Sequence, residues 1–294
     1  MKYLKFIKII GIAAFIYILS FLDYKTVFES LLHLNMYYIA LFVLLWYVVL
    51  VIKVYRWHMV QNYFSRPLSF KENLWVFIET IYLSHVTPGK VGDMARIWIM
   101  DKYFDIPKKE STVAYIFDRI QDLFFMVLFV LYSTVFVIKI PISNYIYILF
   151  ILFITGYIFK NKILSFFQHK IKLIETIKTD LIFEAKIFFI NVLMFAFHFL
   201  EFYMLAKAMD ITLEYNFIIA LISISTLASI IPISVGGLGV REGVFIFLLA
   251  TVGVSKESAV LLSLLDNVFF VAVFIVALYF FGRFFLAQPT PIKE

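Results

Sequence analysis

The sequence contains no cysteine. Disulfides, thiolate metal sites and cysteine nucleophiles are excluded, so packing, hydrogen bonds and ion pairs must hold the fold. Charge is scarce too: Asp, Glu, Lys and Arg make up 16% of the 294 residues, against roughly 25% in soluble domains. Glycine and proline are few, at 10 and 7, so most of the chain carries no helix breaker. What is left is apolar. Hydrophobic residues reach 63%, Phe alone contributes 36, and the mean hydropathy is +0.96. A soluble fold of this length cannot hide so much apolar surface. A water-soluble enzyme, a nucleic-acid reader and a disordered chain are excluded. A transmembrane β-barrel alternates apolar and polar residues, whereas these apolar runs are unbroken. The class is an all-α polytopic membrane protein.

A spanning helix needs about 20 mostly apolar residues. The runs Ile7–Leu22, Met36–Tyr55, Val113–Ile138, Tyr145–Phe159, Phe188–Ala206 and Ser258–Phe281 predict about six spans. The first begins with Lys2, Lys5 and Lys8 and lacks a small-residue cleavage site, so it reads as a retained signal anchor. Two other apolar regions are interrupted. Phe70–Phe104 is broken at Thr87-Pro88-Gly89-Lys90-Val91-Gly92-Asp93. Phe217–Gly253 is broken between Ile231-Pro232 and Gly236-Gly237-Leu238-Gly239. Broken backbone survives at membrane depth only inside protein or beside a watery cavity. Both regions read as re-entrant or broken helix pairs.

The two regions align without gaps at an offset of 147. Gly89 meets Gly236, Gly92 meets Gly239, and Lys109-Glu110-Ser111 meets Lys256-Glu257-Ser258. Repeat 1 covers about 70–138 and repeat 2 about 217–281. Interrupted segments paired across two halves point to a transporter-like binding site. Three spans separate them, so they enter from opposite faces as an inverted repeat. Charge orients the whole. Of 26 basic residues, only Lys25, Lys139, Lys207 and Lys256 fall in outer loops. Lys90, Arg96, Arg119 and Arg241 lie at breaks or within a span, and the other 18, Lys53 and Arg56 among them, fall in inner loops. Lys and Arg mark cytoplasmic loops, so both termini are expected in the cytoplasm and the protein in the cell membrane. Residues 161–186, too charged to span, read equally as a basic amphipathic connector on the inner leaflet or as an ordinary loop.

Ionisable groups at membrane depth cost roughly 2.5–3.5 kcal/mol each and need a reason. Lys90, Asp93 and Arg96 cluster at the first break, and Arg241-Glu242 opens the helix after the second. Helix N-termini carry unpaired N–H groups and positive partial charge. Lys90, Arg96 and Arg241 beside the glycines Gly89, Gly92, Gly236, Gly237 and Gly239 would cradle a phosphate. The plainer reading is that Asp93–Arg96 and Arg241–Glu242 neutralise buried loops. Asp118, Arg119 and Asp122 share neighbouring helix faces, as an ion-pair cluster or as a coupling site or gate. Asp266 is a lone carboxylate whose repeat partner is Arg119, which predicts a cross-repeat pair. His198 and Glu201, three apart, offer a proton relay but too few ligands for zinc. No metal or cofactor is expected.

No complete catalytic motif is present. Gly92-Asp93-Met94-Ala95-Arg96 is a fragment of the CDP-alcohol phosphotransferase pattern without its second leading aspartate.

Pro88-Gly89-Lys90-Val91-Gly92-Asp93 with Arg96 resembles the first signature of the lysylphosphatidylglycerol synthase transmembrane family. Gly236-Gly237-Leu238-Gly239-Val240-Arg241-Glu242-Gly243 resembles the second, and Phe117-Asp118-Arg119 with Asp122 the arginine-centred motif between them. The family includes a flippase that moves aminoacylated phosphatidylglycerol, and members found beside lipid-linked glycan pathways. The sequence stops at Glu294, after the last span, without a soluble aminoacyl-transferase domain. The resemblance therefore implies lipid translocation by a stand-alone member. The expected substrate is an anionic phospholipid or a polyprenyl-phosphate-linked lipid. A lipid- or glycan-modifying enzyme is the partner to expect, and nucleic acid is not. The alternatives are a membrane-embedded lipid transferase and a non-transporting scaffold for such an enzyme.

Overall fold

The computed structural model describes residues 13–87, 91–137, 148, 151–152, 155–156, 179–230 and 237–268. Among them every regular element is helical. After helical residues 13–20 come Tyr24–Leu32 (α1), Met36–Phe64 (α2) and Phe70–Val86 (α3). A 3-10 turn at Val91–Met94 leads into Ala95–Phe104 (α4) and Lys108–Phe136 (α5). Leu181–Ala208 (α6), Tyr215–Ile230 (α7), Val240–Ala250 (α8) and residues 256–268 (α9) follow.

Local chemistry sets these boundaries. Asn35 caps α2 by accepting the Tyr37 amide. At α3, Ser69 and Glu72 form a reciprocal capping box. α3 ends where Thr87, which precedes Pro88, turns extended. Asp180 caps α6 through the Phe183 amide at 2.8 Å. α6 therefore begins at Leu181, so the last six residues of the 161–186 connector belong to a spanning helix. Residues 161–178 lie outside the described residues, as do Pro88, Gly89, Lys90, Gly236, most of the Tyr145–Phe159 span, and the span ending at Phe281 beyond residue 268.

α2 and α6 are each long and apolar enough to cross a membrane. They run antiparallel: the Asn35 amide donates to the Ala208 carbonyl at one end, and the Tyr63 hydroxyl to Asp180 at the other. α2 extends nine residues past Tyr55, which moves Arg56 from the expected inner loop into the helix and puts Lys53, counted with that loop, well inside it. The apolar run did not end at the first cation, because helix continuity depends on backbone bonding rather than on each side chain. α5 is as long as α2 but carries Asp118, Arg119 and Asp122.

Both interrupted regions take the form helix, break, short helix, further helix. In the first, the turn packs back on the end of α3. A Cβ on Gly92 would lie 2.1 Å from the Leu83 carbonyl oxygen, so only glycine permits this backbone contact. In the second, Gly237 has φ +84°, and its missing Cβ would meet Ser229 Oγ at 2.7 Å.

The apolar core is divided in two. One part gathers Phe42, Val49, Phe125, Met194, Phe202 and Phe245. The other gathers Val54, Trp57, Trp75, Phe104, Phe117 and Ile187. Along α2, α5 and α6 the switch between them falls at Lys53–Arg56, Asp118–Asp122 and Asn191. The fold thus stacks a polar layer between two apolar ones.

Candidate functional site

Arg56, 2% exposed, is the hub of that layer. It reaches Asp118 at 2.9 Å, Asp122 at 2.6 Å and the Asn191 amide oxygen at 2.5 Å. Arg119 contacts Asp93 at 3.0 Å, Asp118 at 2.5 Å and Asp122 at 3.1 Å. Arg96, 1% exposed, donates to Thr80 at 2.9 Å, pairs with Asp93 at 3.4 Å and Asp118 at 3.6 Å, and lies between the Trp57 and Phe77 rings. α2, the first break, α4 and α5 are thereby joined through three arginines and three aspartates. Breaking one such buried pair typically costs about 3–5 kcal/mol, because the remaining charge is stranded.

The second break builds a separate charge pair. Arg241, in the first turn of α8, meets Asp266 of α9 at 2.7 Å and lies over the rings of Phe202 and Phe245. The expected Arg119–Asp266 pair is not formed. Each residue instead meets a partner at or just after the break that precedes its own helix. Glu242 does not pair with Arg241 either. Its carboxylate accepts the Gly239 amide at 2.6 Å and the Ser263 hydroxyl at 2.9 Å. A carboxylate thus already fills the N-terminus of α8, the place expected to receive phosphate. Charge balancing by Glu242 is local to that helix end.

One cavity of 430 Å³ connects these groups. Among the described residues its lining includes Lys53, Arg56, Asp93, Arg96, Arg119, Asp122, His198, Glu201, Arg241 and Asp266. Arg96 and Arg241, 145 positions apart in the chain, face the same space. His198 Nδ1 and Glu201 Oε1 lie 2.5 Å apart on α6. Asn191 and Glu201 are ten residues apart on that helix, so the two charge groups sit about 15 Å apart along its axis.

The cations differ in availability. The Arg119 side chain is 31% exposed and that of Arg241 15%, whereas Arg96 and Arg56 are almost wholly covered by their own partners. Lys53 lines the cavity with no carboxylate within 4.0 Å of Nζ among the described residues. Sequence reasoning missed Lys53 and Arg56. Their i, i+3 spacing, which puts two cations on one face of an apolar helix, was the signal. Gly92 and Gly237 serve close backbone and side-chain packing. No group of three His, Asp or Glu suited to a metal ion is present among the described residues.

A profile described as the lysylphosphatidylglycerol synthase TM region matches residues 6–278. The chain belongs to this family. It is a membrane protein with a lipid-related role. Neither a curated protein nor a solved structure matches it.

Proposed function

We propose that this family member is a flippase-like transporter that moves an anionic phospholipid or a polyprenyl-phosphate-linked lipid between leaflets. The observation that carries this reading is the shared cavity, in which charged groups from both interrupted regions meet between membrane-spanning helices. Interrupted helices at a common cavity are a recurring transporter construction. The two regions act as an inverted repeat in the cell membrane, with both termini cytoplasmic. The headgroup enters the polar cavity while its tails stay among the exposed apolar faces of α2 and α6. Arg119 and Arg241 offer planar donor forks to the phosphate. Arg96 holds the break in place behind them. A lipid- or glycan-modifying enzyme supplies or consumes the lipid.

The test is flipping of a fluorescent phosphatidylglycerol in phosphatidylcholine proteoliposomes, read by chemical quenching of the outer leaflet. Protein-dependent loss of the protected fraction is expected. A protected fraction equal to that of empty vesicles would overturn the reading.

A further inference from the structure

The charges of the cavity, with Asp118 buried behind its wall, can be matched residue by residue. Asp93, Asp118, Asp122 and Asp266 each pair with at least one of Arg56, Arg96, Arg119 and Arg241. Four cations and four anions cancel. Glu242 stands apart, wholly buried at the start of α8.

Two units are left over. Lys53 has no carboxylate partner among the described residues. Glu201 is 2% exposed, and its Oε1 lies against His198. Its Oε2 is buried and accepts no hydrogen bond among the described residues. The aspartates are held by guanidinium groups, which keep their protons. Glu201 is held by an imidazole, which gains and loses one near neutral pH. The dyad can therefore take up or release a proton within its own hydrogen bond. The charged groups facing Glu201 are Lys53 from α2, Arg241 from α8 and Asp266 from α9. α5 brings Arg119 and Asp122 to the same cavity, and α7 only the hydroxyls of Ser223 and Thr226.

With one proton in the His198–Glu201 dyad, that unit is neutral and Lys53 gives the cavity one positive charge in excess. Without the proton the dyad is an anion, and it cancels Lys53. A phosphodiester carries one negative charge. We propose that Lys53 and the His198–Glu201 dyad form a proton-linked site for a monoanionic phosphodiester headgroup, with one proton taken from solvent for each headgroup bound. The inference rests on the transport reading and adds its coupling ion. The two neutral states, empty without the proton and loaded with it, avoid a stranded charge at membrane depth. Linkage then requires that protons tighten lipid binding as much as lipid tightens proton binding.

The protein in phosphatidylcholine nanodiscs, weakly buffered with a pH-indicator dye, is titrated with dihexanoyl phosphatidylglycerol. Dihexanoyl phosphatidylcholine and inorganic phosphate serve as comparisons. Uptake approaching about one proton per bound phosphatidylglycerol is expected on the alkaline side, with Kd rising up to about tenfold per pH unit. Glu201→Gln should abolish uptake and flatten the pH dependence. Lys53→Met should weaken binding about tenfold or more, as for loss of a charge-assisted contact. Binding by the unmodified protein without uptake, at a pH-independent Kd, overturns the linkage. Flipping in proteoliposomes would still stand in that case. The unmodified protein decides this alone, even where a variant fails to fold. Equal uptake with inorganic phosphate overturns a lipid source. Absence of any binding removes both the linkage and the transport reading.

Discussion

Arg119 and Asp266 stand 147 positions apart, carry opposite charge, and each reaches back to a residue at or just after the break that precedes its own helix. Arg119 meets Asp93 at 3.0 Å, and Asp266 meets Arg241 at 2.7 Å. The two halves thus latch break to helix with the signs exchanged. Such an arrangement separates the latch from any ligand role. Asp266→Asn strands Arg241 and should lower the melting temperature in detergent. Arg241→Gln with Asp266→Asn should recover most of the melting temperature but not lipid flipping. Recovery of both would make the pair structural only.

Arg56 and Lys53 lie three residues apart on α2, yet their removal should differ in kind. Arg56→Met removes one of the cations shared by Asp118 and Asp122, leaving Asp122 with Arg119 and Asp118 with Arg119 and Arg96. It also frees the Asn191 amide oxygen, and is expected to cost about 3 kcal/mol, seen as a large drop in melting temperature. Lys53→Met breaks no ion pair among the described residues and should leave melting nearly unchanged.

Glycine substitutions should divide by position. At Gly92 an added Cβ meets backbone at 2.1 Å, so Gly92→Ala should abolish a monodisperse peak in size-exclusion chromatography. At Gly243, inside α8, an added Cβ meets nothing within 4 Å. Gly243→Ala should be stabilising by about 1 kcal/mol from helix propensity.

The cap of α6 should be pH-dependent. The Phe183 amide, then the Tyr63 hydroxyl, hold the Asp180 carboxyl below its usual range. A lowered folded pKa stabilises above the unfolded value and loses that contribution as pH falls through the folded one. The melting difference between the unmodified protein and Asp180→Asn should be full near pH 6 and shrink below about pH 4.

The absence of native cysteine makes topology directly testable. Single cysteines at positions 108 and 256, the starts of α5 and α9, should label from opposite faces of the membrane. Labelling from one face would remove the inverted repeat.

Helical class, both breaks and the polar residues of α5 were legible because each depends on local chemistry: apolar run length, Pro and Gly, and charge against an apolar background. The convergence of Arg96 and Arg241 on one cavity was legible from their shared place after a break. Partner choice was not. Whether Asp266 takes Arg119 or Arg241, and whether Glu242 takes an arginine or an amide, depends on differences of a few ångströms in helix placement. Such differences leave no trace in spacing. Arg56 was hidden by a different effect: the apolar run that defines the predicted span stops just before this cation, although burial and three acceptors let the helix continue.

The cancellation of four arginines by four aspartates has an electrical consequence. Each uncompensated elementary charge carried across the membrane field contributes about 2.3 kcal/mol per 100 mV. A rocking movement that carries this set moves no net charge and does no electrical work. The proton and the headgroup cancel each other as passengers. On the proposed proton-linked transport, turnover is expected to be electroneutral, indifferent to membrane voltage and driven by the pH difference and the lipid gradient.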